Sequence, residues 1–367
     1  MIFLLFILIV GSVILCVSVF TRRFGFRHLE YHLRFTESEV NEGDEVTLIE
    51  TICSRKLLPL PWVKAELTTD ASLQFAAEQS SVSEDTRFIS SFFCLFPYRQ
   101  IERRWKVRCT KRGVFSVSHA VLVISDLFST MELSQPFPQA KAELTVLPAV
   151  RAIESLLPEP LQGTGNLLRH RMLIPDRFAV CGIRAYQEGD ALRDLCLTAS
   201  LRVDTPMVWQ YQETAVQVLT ILLNLETRET DREQVSDREI YENEIRLCAA
   251  FLGEAAKEQI PVRICANAEI ERLPVDSGTL STARELRRLL RILAALPFQI
   301  AGSFRRLLNQ TEADTSVVII TSQISRDILL YAAAHPQASV YSLRPLRERE
   351  MLDNTHYIHF SQSEEQE

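Results

Sequence analysis

Residues Val216–Asn224, VQVLTILLN, make a short, almost continuous apolar run. A strand buried on both faces reads this way, because helices cover both sides of a parallel sheet. Working outward, Arg238–Gln259 carries Ile240, Ile245, Cys248, Phe251, Leu252 and Ala255 at helical spacing. A strand at Pro261–Cys265 follows, then a helix at Ser281–Leu296 with Leu286, Leu289, Leu290 and Leu293 on one face. Ser316–Thr321 (SVVIIT) is a second buried strand, Ile324–Ala334 a helix and Ala338–Leu343 a strand. Strands alternating with helices predict an α/β domain with a parallel sheet over 206–360.

Upstream the texture is different. Leu29, Tyr31, Leu33 and Phe35 alternate with polar residues, as a half-buried strand does. Val46–Ile52 is a second strand, entered through the turn Asn41-Glu42-Gly43-Asp44. Further short strands at Trp62–Leu67, Arg87–Phe96, Ile101–Cys109, Val114–Ile124 and Leu144–Leu147 predict an antiparallel β-sandwich over 26–150. Residues 151–205, broken by Pro158, Pro160, Gly163, Gly165 and Pro175, read as an irregular linker. The acidic tail 361–367 reads as disordered. The fold class is therefore a multidomain α+β chain.

The first 21 residues set its place in the cell. Met1–Phe20 holds no charged side chain, and at about 1.5 Å per residue it reaches the roughly 30 Å of a hydrocarbon core. A cleaved signal peptide would want a basic start and a small-x-small site, and neither is present. A transmembrane helix over 1–21 is expected. Arg22, Arg23 and Arg27 follow it and no basic residue precedes it, which predicts a single-pass plasma-membrane protein with its soluble part in the cytoplasm.

The net charge of −7 speaks against nucleic acid as a partner, and no G-x-x-x-x-G-K-[ST] string occurs. Cys16, Cys53, Cys94, Cys109, Cys181, Cys196, Cys248 and Cys265 are scattered without short-spaced pairs, as buried thiols are. The seven histidines are scattered too, with no H-E-x-x-H and no G-x-S-x-G. No cofactor is expected, and an enzyme is not.

Two stretches carry a family resemblance. Tyr31–Trp62 runs strand, E-G-D turn, strand, and an exit reading KLLPLPW. Phe178–Arg202, FAVCGIRAYQEGDALRDLCLTASLR, resembles the R-x-Y-x-x-G-D-x-x-R signature of the bacterial and archaeal family called domain of unknown function 58. Arg184, Tyr186, Gly189, Asp190, Arg193, Ser200 and Arg202 match it; Cys196, Leu197 and Thr198 depart from it, with Leu197 where the family has Trp. The resemblance implies a membrane segment, a β domain and a von Willebrand factor A-like α/β domain. It also implies an accessory role beside a MoxR-type AAA+ ATPase. Physically, Arg184, Arg193 and Arg202 can present guanidinium forks to carboxylates or phosphates, with Asp190 pinning one of them. The competing reading is a salt-bridge cluster that clamps the segment to the α/β domain. On either reading these four residues are expected to lie together beside the domain's first strand.

A von Willebrand A-like domain holds Mg²⁺ through Asp-x-Ser-x-Ser after that strand, since the ion needs hard oxygen ligands. Here Asn224, Glu226 and Arg228 stand at those positions, and Thr321-Ser322-Gln323 after a later strand adds no carboxylate. No metal is expected at this triad. The functional expectation is a membrane-anchored, non-enzymatic interaction protein. A structural envelope-associated scaffold is the alternative, and a hydrolase ranks third.

Overall fold

In the computed structural model, the residues described are 2–76, 80–83, 86–117, 119–125, 132–150, 172–187, 190–216, 218–228, 230–231, 233–311 and 316–358. The chain forms two compact units: Met1–Ala149 with Leu290–Leu296, and Val150–Leu289 with Pro297–Glu367.

The first unit begins with helix α1 (Ile2–Phe24), whose side chains are described only from Gly11 onward. The apolar stretch expected to cross a bilayer therefore lies partly outside the described residues. Among the described residues no helix is long and apolar enough to cross a membrane. Twelve strands follow: β1 (Leu29–Phe35), β2 (Glu39–Asn41), β3 (Glu45–Ser54), β4 (Leu60–Asp70), β5 (Leu73–Phe75), β6 (Ser80–Ser83), β7 (Thr86–Leu95), β8 (Gln100–Cys109), β9 (Gly113–Val117), β10 (His119–Ser125), β11 (Glu132–Pro136) and β12 (Ala142–Leu147). They build sheets ordered β1-β3-β8-β5, β11-β10-β4-β7-β6 and β2-β12-β9. Pairing is antiparallel throughout except between β2 and β12, which run parallel. The alternation seen in the sequence aims Tyr31, Leu48, Leu122, Ile124 and Leu144 into one shared core. Glu50 lies in that core at 1% exposure. The Tyr31 hydroxyl (2.9 Å) and the Trp105 indole N–H (3.0 Å) both donate to its carboxylate.

The second unit opens on a surprise. Where an irregular linker was expected over 151–205, strand β13 (Met172–Ala185) pairs with β14 (Met207–Val216), and the short helix α2 (Leu197–Val203) lies between them. Residues 151–171 of that expected linker and the tail 361–367 lie outside the described residues. Beyond the ribbon come β15 (Leu219–Leu223), α3 (Arg238–Lys257), β16 (Val262–Ile270), β17 (Leu273–Asp276), α4 (Thr282–Ala295, whose residues from Leu290 onward count with the first unit), α5 (Phe304–Gln310), β18 (Ser316–Thr321), α6 (Arg326–Ala334), β19 (Ser339–Ser342) and β20 (Thr355–Tyr357).

The sheet order is β17-β16-β15-β18-β19-β20, with every pair parallel except the edge hairpin β16–β17. This is the doubly wound order, in which the chain leaves β15 one way to β16 and later returns on the other side to β18. Every residue of β15 is buried, as its apolar sequence demands. α3 starts where Asp237 accepts a hydrogen bond from the Ile240 N–H, and buries Tyr241, Ile245, Cys248, Phe251, Leu252 and Ala255. All described cysteines are free thiols.

Candidate functional site

Open α/β sheets bind ligands beyond the carboxyl ends of their strands, at the point where strand order reverses. Here that point lies between β15 and β18, and the residues just past them face each other. Asn224, 1% exposed, donates its amide Nδ2 to the Thr321 hydroxyl at 3.0 Å. Its Oδ1 accepts from the Asn267 Nδ2 at 3.2 Å and from the Glu226 backbone N–H at 3.3 Å. Asn267 belongs to β16, and its Oδ1 accepts from the Leu225 N–H at 2.8 Å. Three adjacent strand ends are thus stapled by neutral amides and a hydroxyl. At the first position of the triad, where no metal is expected, both the oxygen and the nitrogen of the Asn224 amide are engaged within the protein.

The second and third triad positions diverge from it. Arg228 is exposed, and what it contributes inward is its backbone N–H, given to Asp231 at 3.1 Å. Glu226 is half-buried; burial pushes its carboxyl above the usual range, partly opposed by the Phe304 backbone N–H. The charge at this edge belongs to Asp231 instead. Its carboxylate accepts from the Thr227 N–H (3.1 Å), the Thr227 hydroxyl (2.6 Å), the Ser236 N–H (3.3 Å) and the Ser236 hydroxyl. Burial alone would raise its pKa, but the Ser236 and Thr227 hydrogen bonds win and hold it below the usual carboxylate range. The Thr227 hydroxyl in turn accepts from the Asp237 N–H at 3.2 Å, so this loop fixes the start of α3. Among the described residues no group of three or more His, Cys, Asp or Glu side chains is placed to hold a metal ion.

Glu244, on α3, is fully buried, and neither carboxyl oxygen has a donor in good hydrogen-bond geometry among the described residues. The Ser322 hydroxyl, just past β18, is buried and unsatisfied as well. Burial drives the Glu244 pKa well up, outweighing the pull of the nearby Ser322 and of Arg344. Sequence reasoning missed Asp231, Asn267 and Glu244. Asn267 left a signal, a polar residue inside the buried run Ile264-Cys265-Ala266-Asn267-Ala268.

The signature segment supplies a second feature. Arg184 forms a two-pronged ion pair with Asp190, Nη1 to Oδ2 at 2.7 Å and Nη2 to Oδ1 at 2.8 Å. The Gln187 N–H adds a bond at 2.8 Å, and Arg184 with this N–H hold the Asp190 pKa to about 2. Ser200 closes the excursion, its hydroxyl donating to the Cys196 carbonyl (2.8 Å) and accepting from the Met207 N–H (2.8 Å). Tyr186 donates its N–H to the Pro206 carbonyl at 2.9 Å. Gly189 lies outside the described residues.

The expected cluster of four is a pair. Arg193 sits in a 3-10 turn (Leu192–Asp194) and Arg202 in the last turn of α2, both exposed. Neither joins Asp190 among the described residues. The pair is also no buried clamp, since the Arg184 side chain is 41% exposed. α2 buries none of its residues and turns Leu197 (71%), Leu201 (86%) and Val203 (60%) to solvent.

No family model matches the sequence, and no curated protein does. Solved structures give only slight likenesses. A non-cellulosomal cohesin from Archaeoglobus fulgidus is 10% identical, at TM-score 0.24, over 32% of this chain and 91% of that one. The CARDB domain of a Pyrococcus furiosus protein, in complex with di-metal ions, is 10% identical at TM-score 0.23, over 33% and 91%. Pseudomonas fluorescens alkylpurine DNA glycosylase AlkC is 15% identical at TM-score 0.21, over 32% and 30%. Likenesses of this size carry no argument about what this chain does.

Proposed function

We propose that this protein is a membrane-anchored, non-enzymatic interaction protein of the domain of unknown function 58 type. On this reading the second unit is a von Willebrand A-like domain that engages a partner without a divalent ion. The partner is a MoxR-type AAA+ ATPase, and α1 holds the protein in the plasma membrane with its soluble part in the cytoplasm. The observation that carries the reading is α2: a helix inside the signature segment with no buried residue and three large apolar side chains in solvent. Exposed apolar patches on otherwise polar surfaces mark sites of protein contact. The neutral stapling of Asn224, Asn267 and Thr321 supports the ion-free part. The test is capture of the purified MoxR-type ATPase of the same organism by the full chain in detergent. A Leu197→Asp, Leu201→Asp double variant keeps its unfolding midpoint and loses capture; undiminished capture overturns the assignment. The exposed thiol of Cys94 reports topology. Its labelling in intact cells by a membrane-impermeant reagent would reverse the orientation.

One observation favours the scaffold reading. The outer face of β4 and β7 carries an open groove of about 660 Å³ lined by Lys64, Glu66, Thr68, Phe88, Ser90 and Phe92. On that reading the β unit makes the contact, and the α2 variant retains it.

A further inference from the structure

Within the first unit, α1 is fixed to the strands rather than trailing from them. Lys56, 8% exposed, donates its ammonium to the Phe24 carbonyl at 3.3 Å and to the Gly25 carbonyl. These carbonyls lie at the helix end, where the dipole favours a cation, and the Phe24 carbonyl also accepts from the Arg27 N–H at 3.2 Å. Gly25 is held tightly: a Cβ there would collide with Ile124 Cδ1 and with the Thr21 carbonyl oxygen. Phe26 packs on Phe137, ring centroids 6.4 Å apart. The direction of the helix is therefore set by the β strands.

The connection from β3 to β4 runs along the last turns of α1. Leu58, Pro59 and Pro61 face Cys16, Val17 and Phe20 across an apolar groove of about 270 Å³. The β7–β8 turn joins it through the Tyr98 N–H, which donates to the Lys56 carbonyl at 3.3 Å. Around this junction Leu57 (76%), Trp62 (54%), Phe96 (65%) and Tyr98 (68%) stand in solvent. The two connections read RKLLPLPW (Arg55–Trp62) and FPYR (Phe96–Arg99), without a carboxylate, in a chain of net charge −7. Arg22, Arg23 and Arg99 are exposed around them, as is Arg55, which pairs with Glu30 at 3.1 Å.

We propose that this collar sits in the headgroup layer of an anionic bilayer that α1 enters, so that the β unit is seated on the membrane at a fixed angle. The proposal rests on reading α1 as a membrane anchor. Tryptophan and tyrosine favour the layer between water and acyl chains, and arginines reach lipid phosphates while their stems cover apolar surface. A collar with both, and with no carboxylate in either connection, is complementary to that layer and poorly matched to water.

The test uses the full chain reconstituted into vesicles of phosphatidylcholine with a minor share of phosphatidylglycerol. Cys16→Ser and Cys94→Ser remove the native thiols that are exposed among the described residues. A polarity-sensitive fluorophore is then placed singly at Val13→Cys, Leu57→Cys, Tyr98→Cys and, as an aqueous reference, Leu273→Cys. Lipids carrying a nitroxide just below the headgroup should quench positions 13, 57 and 98 strongly and leave 273 bright. Quenching at 13 without quenching at 57 and 98 overturns the collar and leaves the anchor standing. Absence of quenching at 13 overturns the anchor and the collar with it. Shielding of 57 and 98 from aqueous iodide without lipid quenching shows that protein covers the patch, and overturns the proposal.

Discussion

Two buried glutamates treat the same problem in opposite ways. Glu50, in the β unit, spends its burial on two dedicated donors, Tyr31 and Trp105. Glu244, in the α/β unit, has no donor in good hydrogen-bond geometry among the described residues, only the Ser322 hydroxyl and N–H nearby. A buried charge is tolerable when paired and costly when not. The first arrangement reads as architecture, since removing it would only harm the fold. The second lies close to Ser322 at the sheet's carboxyl edge, where burial pushes the carboxyl well above its usual range and so favours its neutral form. The difference teaches where to look for function: at the edge that leaves groups unsatisfied, not in the core that completes them.

The comparison can be broken by mutation, and the largest effect is expected at Glu50. Glu50→Ala strands the Tyr31 hydroxyl, itself fully buried, and the Trp105 N–H. Two abandoned donors should cost about 3–4 kcal/mol in urea unfolding. A loss under about 1 kcal/mol would show the carboxylate to be dispensable. Asp231→Ala should come next, at about 2–3 kcal/mol, because it frees the Thr227 and Ser236 donors that position the start of α3.

Glu244→Gln should act in the other direction. Its folded pKa is raised, so between the unfolded pKa and the folded one the native state binds more protons than the unfolded state. The wild type therefore loses stability as pH rises through that window. The Gln variant should lose less, with a gain over wild type that grows with pH; parallel unfolding curves at acid and alkaline pH would refute this. The smallest effect is expected at the β16–β17 turn, where Glu271 and Arg272 adopt φ of 53° and 68°. Arg272→Gly should relieve left-handed strain and stabilise by about 0.5–1 kcal/mol in thermal unfolding.

That turn also shows what the sequence concealed. A two-residue hairpin with both central residues at positive φ ordinarily announces itself as Asn-Gly or Asp-Gly. Glu271-Arg272 gives no such sign, so β17 and the antiparallel edge were illegible. The buried strands β15 and β18 were plain, because a continuous apolar run between helical patterns has few other readings. The ribbon of β13 and β14 was hidden for the opposite reason: Pro175 read as a breaker, and pairing between distant segments leaves no local period. At the site, the absence of carboxylates at positions 224 and 228 was legible from residue type. The three-strand amide staple was not, since it needs Asn224, Asn267 and Thr321, which only the sheet order brings together. The signature residues were found, but their sequence proximity suggested one cluster. Arg193 lies in the 3-10 turn and Arg202 in α2, and among the described residues the ion pair with Asp190 is made by Arg184.

The central claim is that the carboxyl edge of this sheet works through neutral donors and not through an ion. Calorimetric titration of the full chain in detergent with Mg²⁺ and Mn²⁺ tests it directly. The account predicts heats of dilution only, with the ATPase captured equally well in the presence of a chelator. Saturable binding at micromolar concentration, lost in an Asn224→Leu variant, would contradict it.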